Sequence, residues 1–149
     1  MRGRLAVLAV SAMVVLALPV RANEKPSEAY QKAEKELNVA NNALRNDVKV
    51  IDFVAMAKDA TTIRASFTMM LEFWHAKNAD DAVKLLEDGL KAVSDLEKAV
   101  KAENRNGTAE AQAAIAGASS TGEIGAIGTC APCHLAHRQR MPDGTFEIK

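Results

Sequence analysis

Two cysteines and a histidine near the C-terminal end of the sequence are the residues whose types and spacing point to chemistry. Cys130, Cys133 and His134 form the pattern C-x-x-C-H, and the 149-residue chain has no other cysteine. On one helical turn the two sulfurs project to nearly the same side, at a spacing suited to thioether bonds with the two vinyl groups of a haem. The histidine that follows is then carried under the ring, where a neutral imidazole nitrogen can bind the iron as the proximal ligand. The motif therefore predicts one covalently bound haem c per chain.

Three other kinds of site use paired cysteines, and the sequence supports each of them less well. A redox dithiol of the thioredoxin type depends on a helix N-terminus in a βαβ context to lower a thiol pKa, and the sequence shows no strand to build one. A zinc site needs further ligands, and only His75 and His137 remain outside the motif. A disulfide between Cys130 and Cys133 would close a tiny loop and contribute little stability.

The N-terminal segment has the pattern of a cleaved export signal. Two arginines precede an uncharged apolar run over residues 5–18, which is too short to span a bilayer comfortably. Pro19 ends the run, and the next three residues, Val-Arg-Ala, match the small-residue pattern that a signal peptidase needs. An uncleaved membrane anchor is the alternative, but the flanks fit a signal better. We therefore predict a signal peptide over residues 1–22, a periplasmic protein with no stable membrane span after cleavage, and one mature domain over residues 23–149.

The charge of the mature chain excludes one class of partner. Without the predicted signal peptide, the chain carries 16 Lys and Arg against 19 Asp and Glu, a formal charge of −3. It has no basic run and no basic patch with interleaved aromatic residues. We therefore expect no nucleic-acid partner.

Helical periodicity dominates the region between Pro26 and Pro132, which contains no proline. Apolar residues repeat there at steps of three and four along three stripes, which is typical of helix faces and unlike strand alternation. The first stripe consists of Ala33, Leu37, Ala40, Leu44, Val48 and Ile51. The second consists of Met56, Ala60, Ile63, Phe67, Met70 and Trp74. The third consists of Val83, Leu86, Leu90, Val93, Leu96 and Val100.

Capping and turn-forming residues predict where the helices begin and end. The predicted boundaries are Pro26-Ser27 for the start of the first helix, Asn46-Asp47 for the break before the second, Asn78 with Asp81 three residues later for the cap of the third, and Asn106-Gly107-Thr108 for the turn and cap before the fourth. Four helices joined by short connections imply antiparallel neighbours. We therefore predict an all-α fold, an antiparallel up-down four-helix bundle.

The fourth helix is predicted to be less regular than the others. Glycine, serine and threonine residues weaken it over residues 117–128, and Pro132 removes a backbone donor that a continuous helix would use. We expect a kink or a restart just before Cys130. Met141-Pro142-Asp143-Gly144 is expected to end the helix and to leave a short extended tail.

A C-x-x-C-H motif near the end of a four-helix chain resembles the class II c-type cytochromes, the cytochrome c′ family, whose C-terminal helix bears this motif. The resemblance covers essentially the whole mature chain in architecture, and its specific residues are Cys130, Cys133, His134 and Arg138. It implies a haem near the C-terminal end of the fourth helix. A basic residue commonly lies four positions after the haem-binding histidine in that family, so Arg138 is expected near the haem edge or propionates. The alternative for Arg138 is a solvated side chain that interacts with the dipole at a helix C-terminus.

Two features depart from the family pattern. Many members have a continuous final helix, whereas this sequence has Pro132 and the glycine-rich stretch before it. The first helix also lacks the methionine that methionine-ligated members place there. The fold and the haem do not depend on either feature, but the sixth iron ligand does not follow from the resemblance.

The other face of the haem is expected to be lined by residues from the upstream helices. In an alternating bundle, the haem end is populated by Tyr30, Ala33, Leu37, Met69, Met70, Phe73, Trp74, His75, Ala82 and Val83. The resemblance assigns the distal wall to the first helix, and Leu37 is the bulkiest residue of its stripe near that end; its alternative is an ordinary core leucine. Trp74 is expected to pack against the haem or to seal the end of the bundle.

Few side chains qualify as a sixth iron ligand. Met70 offers a thioether sulfur, although a methionine in a helical stripe is more often a core residue. His75 lies at a helix end and has the surroundings of a surface histidine. His137 and Met141 are on the same side of the haem as His134, so they cannot reach across it.

Two classes of function follow from these expectations. In the first, the protein is an electron carrier, not an enzyme, and exchanges single electrons with redox partner proteins. In the second, a five-coordinate haem in an apolar pocket binds nitric oxide or carbon monoxide for sensing, buffering or protection. The resemblance also allows a homodimer, since class II relatives are often dimers through their first two helices.

Overall fold

Helices make up most of the chain. The computed structural model describes residues 23–116 and 130–149. Its elements are α1 (Glu28–Val50), α2 (Phe53–Ala76), α3 (Asp80–Lys101), α4 (Arg105–Ala116), α5 (Cys130–His137), β1 (Arg138–Arg140) and β2 (Phe146–Ile148). The predicted signal peptide, residues 1–22, and the glycine-rich segment, residues 117–128, lie outside the described residues.

Four helices pack against one another around a shared core. Helix α1 packs on α2, α2 on α3 and α3 on α4, while α1 and α4 also touch. Within the described ranges, the strands are limited to one antiparallel pair of three residues each, β1 and β2. The all-α class is therefore confirmed.

The three apolar stripes form the core, as their spacing predicts. Every member of the second stripe is buried, from Met56 to Trp74, and Met56, Ala60 and Ile63 are completely inaccessible to solvent. The third stripe is buried except for the half-buried Leu90. The first stripe is buried up to Leu44, and Val48 packs against the core at its edge, but its last predicted member, Ile51, is exposed. Burial of these side chains supplies the main driving force for the packing of the helices.

The start of α1 is where the sequence predicts it. Ser27 is the N-cap, and its hydroxyl oxygen accepts a hydrogen bond from the backbone N–H of Tyr30 at 3.2 Å. The cap satisfies one of the backbone donors that a helix leaves unpaired in its first turn.

The predicted break at Asn46-Asp47 is wrong. Helix α1 continues to Val50, which allows Val48 to reach the core. The chain reverses instead at Ile51, whose φ of 63° is unusual for a β-branched residue. Asp52 then caps α2, because its Oδ1 accepts from the backbone N–H of Ala55 at 3.0 Å.

The next two predicted caps are displaced by a few residues. Asn78 does not cap α3 but takes a left-handed conformation, with φ of 53°, in the turn after α2, and Ala79 occupies the N-cap position without a side-chain hydrogen bond. Asparagine tolerates this conformation better than most residues. Helix α4 begins at Arg105, before the predicted turn, and Asn104 Oδ1 accepts from the backbone N–H of Gly107 at 3.1 Å.

The C-terminal part of the chain differs most from the prediction. Helix α5 begins at Cys130, where a restart is expected, but it ends at His137 rather than at residues 141–144. Those residues instead form the turn between β1 and β2, and Gly144 has φ of 86°, which glycine adopts at little cost. The expected tail is extended but paired. We call residues 138–148 the C-terminal hairpin.

The C-terminal hairpin is joined to the beginning of the described chain. The backbone N–H of Glu24 donates to the carbonyl of Ile148 at 2.9 Å, and the N–H of Ile148 donates to the carbonyl of Glu24 at 2.8 Å. Ile148 is buried in the core cluster. The two ends of the domain therefore hold each other in place.

Within the described ranges, no helix has the length and apolar character required to cross a membrane.

A carboxylate pair at the α1–α2 end of the fold predicts how stability changes with pH. Burial, a hydrogen bond to Asp47 and repulsion from the Asp47 charge raise the pKa of Asp59 to about 6. Because the pKa of Asp59 is higher in the folded protein than in the unfolded chain, protonated Asp59 stabilises the fold at low pH. This contribution to the free energy of unfolding is lost as the pH rises through about 6. We expect Asp59→Asn to increase the free energy of unfolding at pH 7 by about 0.5–1 kcal/mol, because partial exposure screens the repulsion, and to change it little at pH 4.

Chemical denaturation at both pH values measures this effect. Asp88→Asn is a suitable control, because Asp88 is exposed on α3 and only forms a surface ion pair with Lys84. An equal gain at both pH values for Asp59→Asn would contradict the assignment of the effect to ionisation.

Candidate functional site

Helix α5 carries the cysteine and histidine of the motif and is held by contacts on several sides. His137, in its last turn, places Nε2 2.8 Å from Oδ2 of Asp81 at the start of α3. The His137 ring also packs on Trp74 of α2, with ring centroids 4.7 Å apart. Lys149 donates from Nζ to the carbonyl of Leu135 at 3.0 Å. These contacts fix the direction in which the motif faces the bundle.

A large cavity lies between this helix, the C-terminal hairpin and the first two helices. Its volume is about 800 Å³, within the range of about 300–1,000 Å³ that is usual for small-molecule and cofactor sites. It is lined by all the site residues predicted from the sequence whose side chains are described, namely Leu37, Met70, Trp74, Cys133, His134 and Arg138. The side chain of Cys130 lies outside the described part, although its backbone begins α5. The structure thus brings residues from four elements to one cavity.

His134 has two charged neighbours in the cavity wall. Arg138 Nη1 lies 3.4 Å from His134 Nε2, and Glu34 Oε1 lies 4.0 Å from the same atom. Burial and then the positive charge of Arg138 lower the pKa of His134 from its ordinary value. These surroundings favour the neutral imidazole.

Arg138 lies in the cavity wall rather than free in solvent. Its side chain is 29 % exposed, its Cζ lies 3.5 Å from the centre of the Phe146 ring, and Nη1 is 3.9 Å from Glu34 Oε1. It is the first residue of β1 and directly follows the last residue of α5, so its place at a helix C-terminus stays compatible with the alternative of an interaction with the helix dipole. Its buried Nε has no hydrogen-bond partner among the described residues. The Arg138 guanidinium therefore has one N–H donor, at Nε, that is not paired within the described part of the chain.

The candidates for the sixth iron position separate clearly. Leu37 and Met70 are buried and both line the cavity. His75 is exposed and is absent from the lining, which confirms its interpretation as a surface residue. Within the described lining, Met70 is thus the one side chain from the first three helices with a soft donor atom.

An aromatic cluster forms one side of the cavity. Trp74 donates from Nε1 to the hydroxyl oxygen of Tyr30 at 3.1 Å, and both side chains are buried. The Tyr30 ring also packs on Phe73, with centroids 4.4 Å apart and planes tilted by 47°. Trp74 is therefore fixed between Tyr30 on one side and His137 on the other.

Sequence reasoning missed two residues of this site, Glu34 and Phe146. Glu34 lies three positions before Leu37 on α1, so the two side chains share one side of the helix. This spacing predicts that Glu34 lies at the edge of the side that faces the cavity. Phe146 alternates with Ile148, which is a weak strand signal in a segment interpreted as a tail. Burial raises the pKa of Glu34, while Arg138 lowers it.

Comparison with protein-family models, with curated proteins and with solved structures finds nothing that matches this chain. What the site does is therefore inferred from its own residues and contacts.

Proposed function

We propose that this chain is an exported c-type cytochrome that binds one haem covalently through Cys130 and Cys133, with His134 as the iron ligand, and that exchanges single electrons with redox partner proteins. One observation carries the proposal. The C-x-x-C-H motif lies on a helix whose Cys133 and His134 line a cavity of about 800 Å³. The motif alone indicates a haem, and the cavity next to it offers space for one.

The residues present fit a haem in three respects. His134 directly follows Cys133 and lines the cavity with it, so its imidazole is available as an iron ligand. The interior wall of the cavity includes apolar side chains that suit the faces of a porphyrin, among them Leu37, Phe67 and Leu86. Arg138 brings a positive charge with an unpaired donor to the cavity, which suits the carboxylates of the porphyrin edge.

Each of these residues has a distinct task in electron transfer. A bound haem supplies the redox chemistry, since its iron changes reversibly between Fe(II) and Fe(III). His134 supplies the nitrogen ligand, and its orientation is constrained because α5 is held by Asp81 and Trp74 through His137. In this role no residue is required to transform a substrate.

The arrangement of the helices supports the topology of the cytochrome c′ family. We propose an antiparallel up-down bundle with the haem near the C-terminal end of the fourth helical segment. Its support is that α1, α2, α3 and α4 are joined by connections of two or three residues and contact their chain neighbours, while α1 also contacts α4. Long helices joined this way have to reverse direction at each connection in order to pack. Export to the periplasm after removal of residues 1–22, and a homodimer, belong to the same proposal.

The composition of the cavity favours a second candidate function. Leu37, Phe67 and Leu86 have no donor atom for iron, so a haem that faced this wall could take a sixth ligand from it only through Met70. An open position in an apolar pocket binds nitric oxide or carbon monoxide. Gas binding for sensing, buffering or protection is therefore the alternative to electron transfer.

A potentiometric titration of the purified holoprotein tests electron transfer. We expect one reversible transition with the slope of a one-electron couple, because the chain has a single C-x-x-C-H motif. Absence of a reversible transition would refute the proposed carrier function.

Carbon monoxide tests the second candidate function and leaves electron transfer to the potentiometric titration. If the apolar wall at Leu37 faces the haem, carbon monoxide should shift the optical spectrum of the reduced protein. A low-spin spectrum that does not respond to carbon monoxide would exclude gas binding and assign Met70 as the ligand. In that case Met70→Leu would restore the response.

A further inference from the structure

Two buried hydrogen-bond donors that line the cavity have no acceptor within the described part of the chain. The Tyr30 hydroxyl oxygen accepts from Trp74 Nε1, but the described residues include no acceptor for the Tyr30 O–H itself. The buried Nε of Arg138 also has no partner there. Tyr30 is 5 % exposed and lines the cavity. A buried donor without an acceptor costs about 1–3 kcal/mol, which favours a bound group that supplies one.

The charges near these two donors indicate the chemistry of that group. Arg138 is a permanent cation, and its Nη1 lies 3.9 Å from Glu34 Oε1, beyond normal hydrogen-bond distance. Burial also raises the pKa of Tyr30, so its hydroxyl keeps its proton and remains a donor. The rest of the charged lining is balanced, with two lysines against two further carboxylates. A protonated hydroxyl and a guanidinium with an unpaired donor in one lining form a site for an anionic acceptor.

We infer that Tyr30 and Arg138 together bind one carboxylate of the haem, with Tyr30 as a hydrogen-bond donor to it and Trp74 as the residue that positions Tyr30. This inference rests on the proposed function, because the haem supplies the carboxylate. The Trp74 N–H holds the hydroxyl oxygen, which leaves the hydroxyl hydrogen for the bound group. The Phe73 ring restricts the Tyr30 ring from one side. Tyr30 thus selects a porphyrin with a free carboxylate over one without.

The test compares two porphyrins on two variants. The full mature chain, purified without haem, is titrated with iron(III) protoporphyrin IX and with its dimethyl ester, which lacks carboxylates. Tyr30→Phe removes only the hydroxyl. Ser66→Ala is the matched control, because Ser66 is also a buried residue whose hydroxyl has no partner among the described residues, and it does not line the cavity.

We expect Tyr30→Phe to weaken binding of the acid about tenfold, the effect of one hydrogen bond to a charged group. We expect it to change binding of the ester by less than about twofold. Ser66→Ala should affect neither. Equal weakening of acid and ester, or no weakening, overturns the inference while haem binding itself stands. Binding of neither porphyrin by the unmodified chain would contradict the proposed function as well.

A second measurement does not depend on the chain folding without haem. In the holoprotein, the resonance Raman band of the haem carboxylates should shift in Tyr30→Phe and stay in place in Ser66→Ala, because the band responds to hydrogen bonds at the carboxylate. If the band has the same position in Tyr30→Phe, in Ser66→Ala and in the unmodified protein, Tyr30 does not donate a hydrogen bond to the carboxylate and the inference is overturned. Circular dichroism of each variant verifies that the helices are intact.

Discussion

Replacing both Cys130 and Cys133 by alanine will abolish covalent attachment of haem. The chain has no other cysteine, so no thioether can form elsewhere. The single variant Cys133→Ala retains at most one thioether and should carry much less haem than the unmodified protein. Each variant is expressed together with the haem-attachment machinery, and covalent haem is measured as the colour that remains with the chain after denaturing electrophoresis.

Protein folding has to be separated from haem attachment in this experiment. Cys133 is only half-buried, so its truncation removes little of the core. Ser66→Ala, which removes a buried polar group that does not line the cavity, should retain all of its haem. Covalent haem in the double cysteine variant would disprove attachment through the motif.

Replacing His134 by glycine should remove the proposed nitrogen ligand of the iron. We expect the optical spectrum of the holoprotein to lose the features of histidine ligation, because the described lining of the cavity contains no other histidine. Added imidazole should fill the space left by the side chain and restore much of the original spectrum. Optical titration with imidazole measures both effects.

His75→Gly is the matched control for the His134 variant. His75 lies at the end of α2, is exposed and does not line the cavity, so its removal should leave the spectrum unchanged with or without imidazole. A His134→Gly protein with an unaltered spectrum would show that another residue binds the iron.

The core of the fold was predictable from the sequence because it depends on local periodicity. The stripe from Met56 to Trp74 repeats at three and four residues, and all of its members are buried. Apolar burial dominates folding, so a regular stripe indicates which side of a helix faces inward. The start of α1 was predictable for a similar reason, since the bond of Ser27 is made within its own turn.

The helix ends that the sequence misplaced depend on packing between helices. Asn46 and Asp47 have the composition of a helix break, but the contact of Val48 with the core keeps α1 helical to Val50. Tertiary packing overrides weak local preferences in this way. Asn78 was identified correctly as a turn residue, but it supplies a left-handed backbone conformation instead of a side-chain cap.

The site was partly predictable. The motif and the helix stripes identify Cys133, His134, Leu37 and Met70, which the structure brings to one cavity. The pairing of the C-terminal hairpin with Glu24 joins residues that are more than one hundred positions apart, and no local pattern encodes such a contact. For the same reason, the position of Arg138 over the Phe146 ring could not be foreseen.

The mass of the chain purified from the periplasm tests the central claim most directly. Mass spectrometry under denaturing conditions, after co-expression with the haem-attachment machinery, reports signal cleavage and covalent haem together. We predict the mass of residues 23–149 plus one haem. A periplasmic chain with the mass of the polypeptide alone would contradict the proposal that Cys130, Cys133 and His134 form a haem c site.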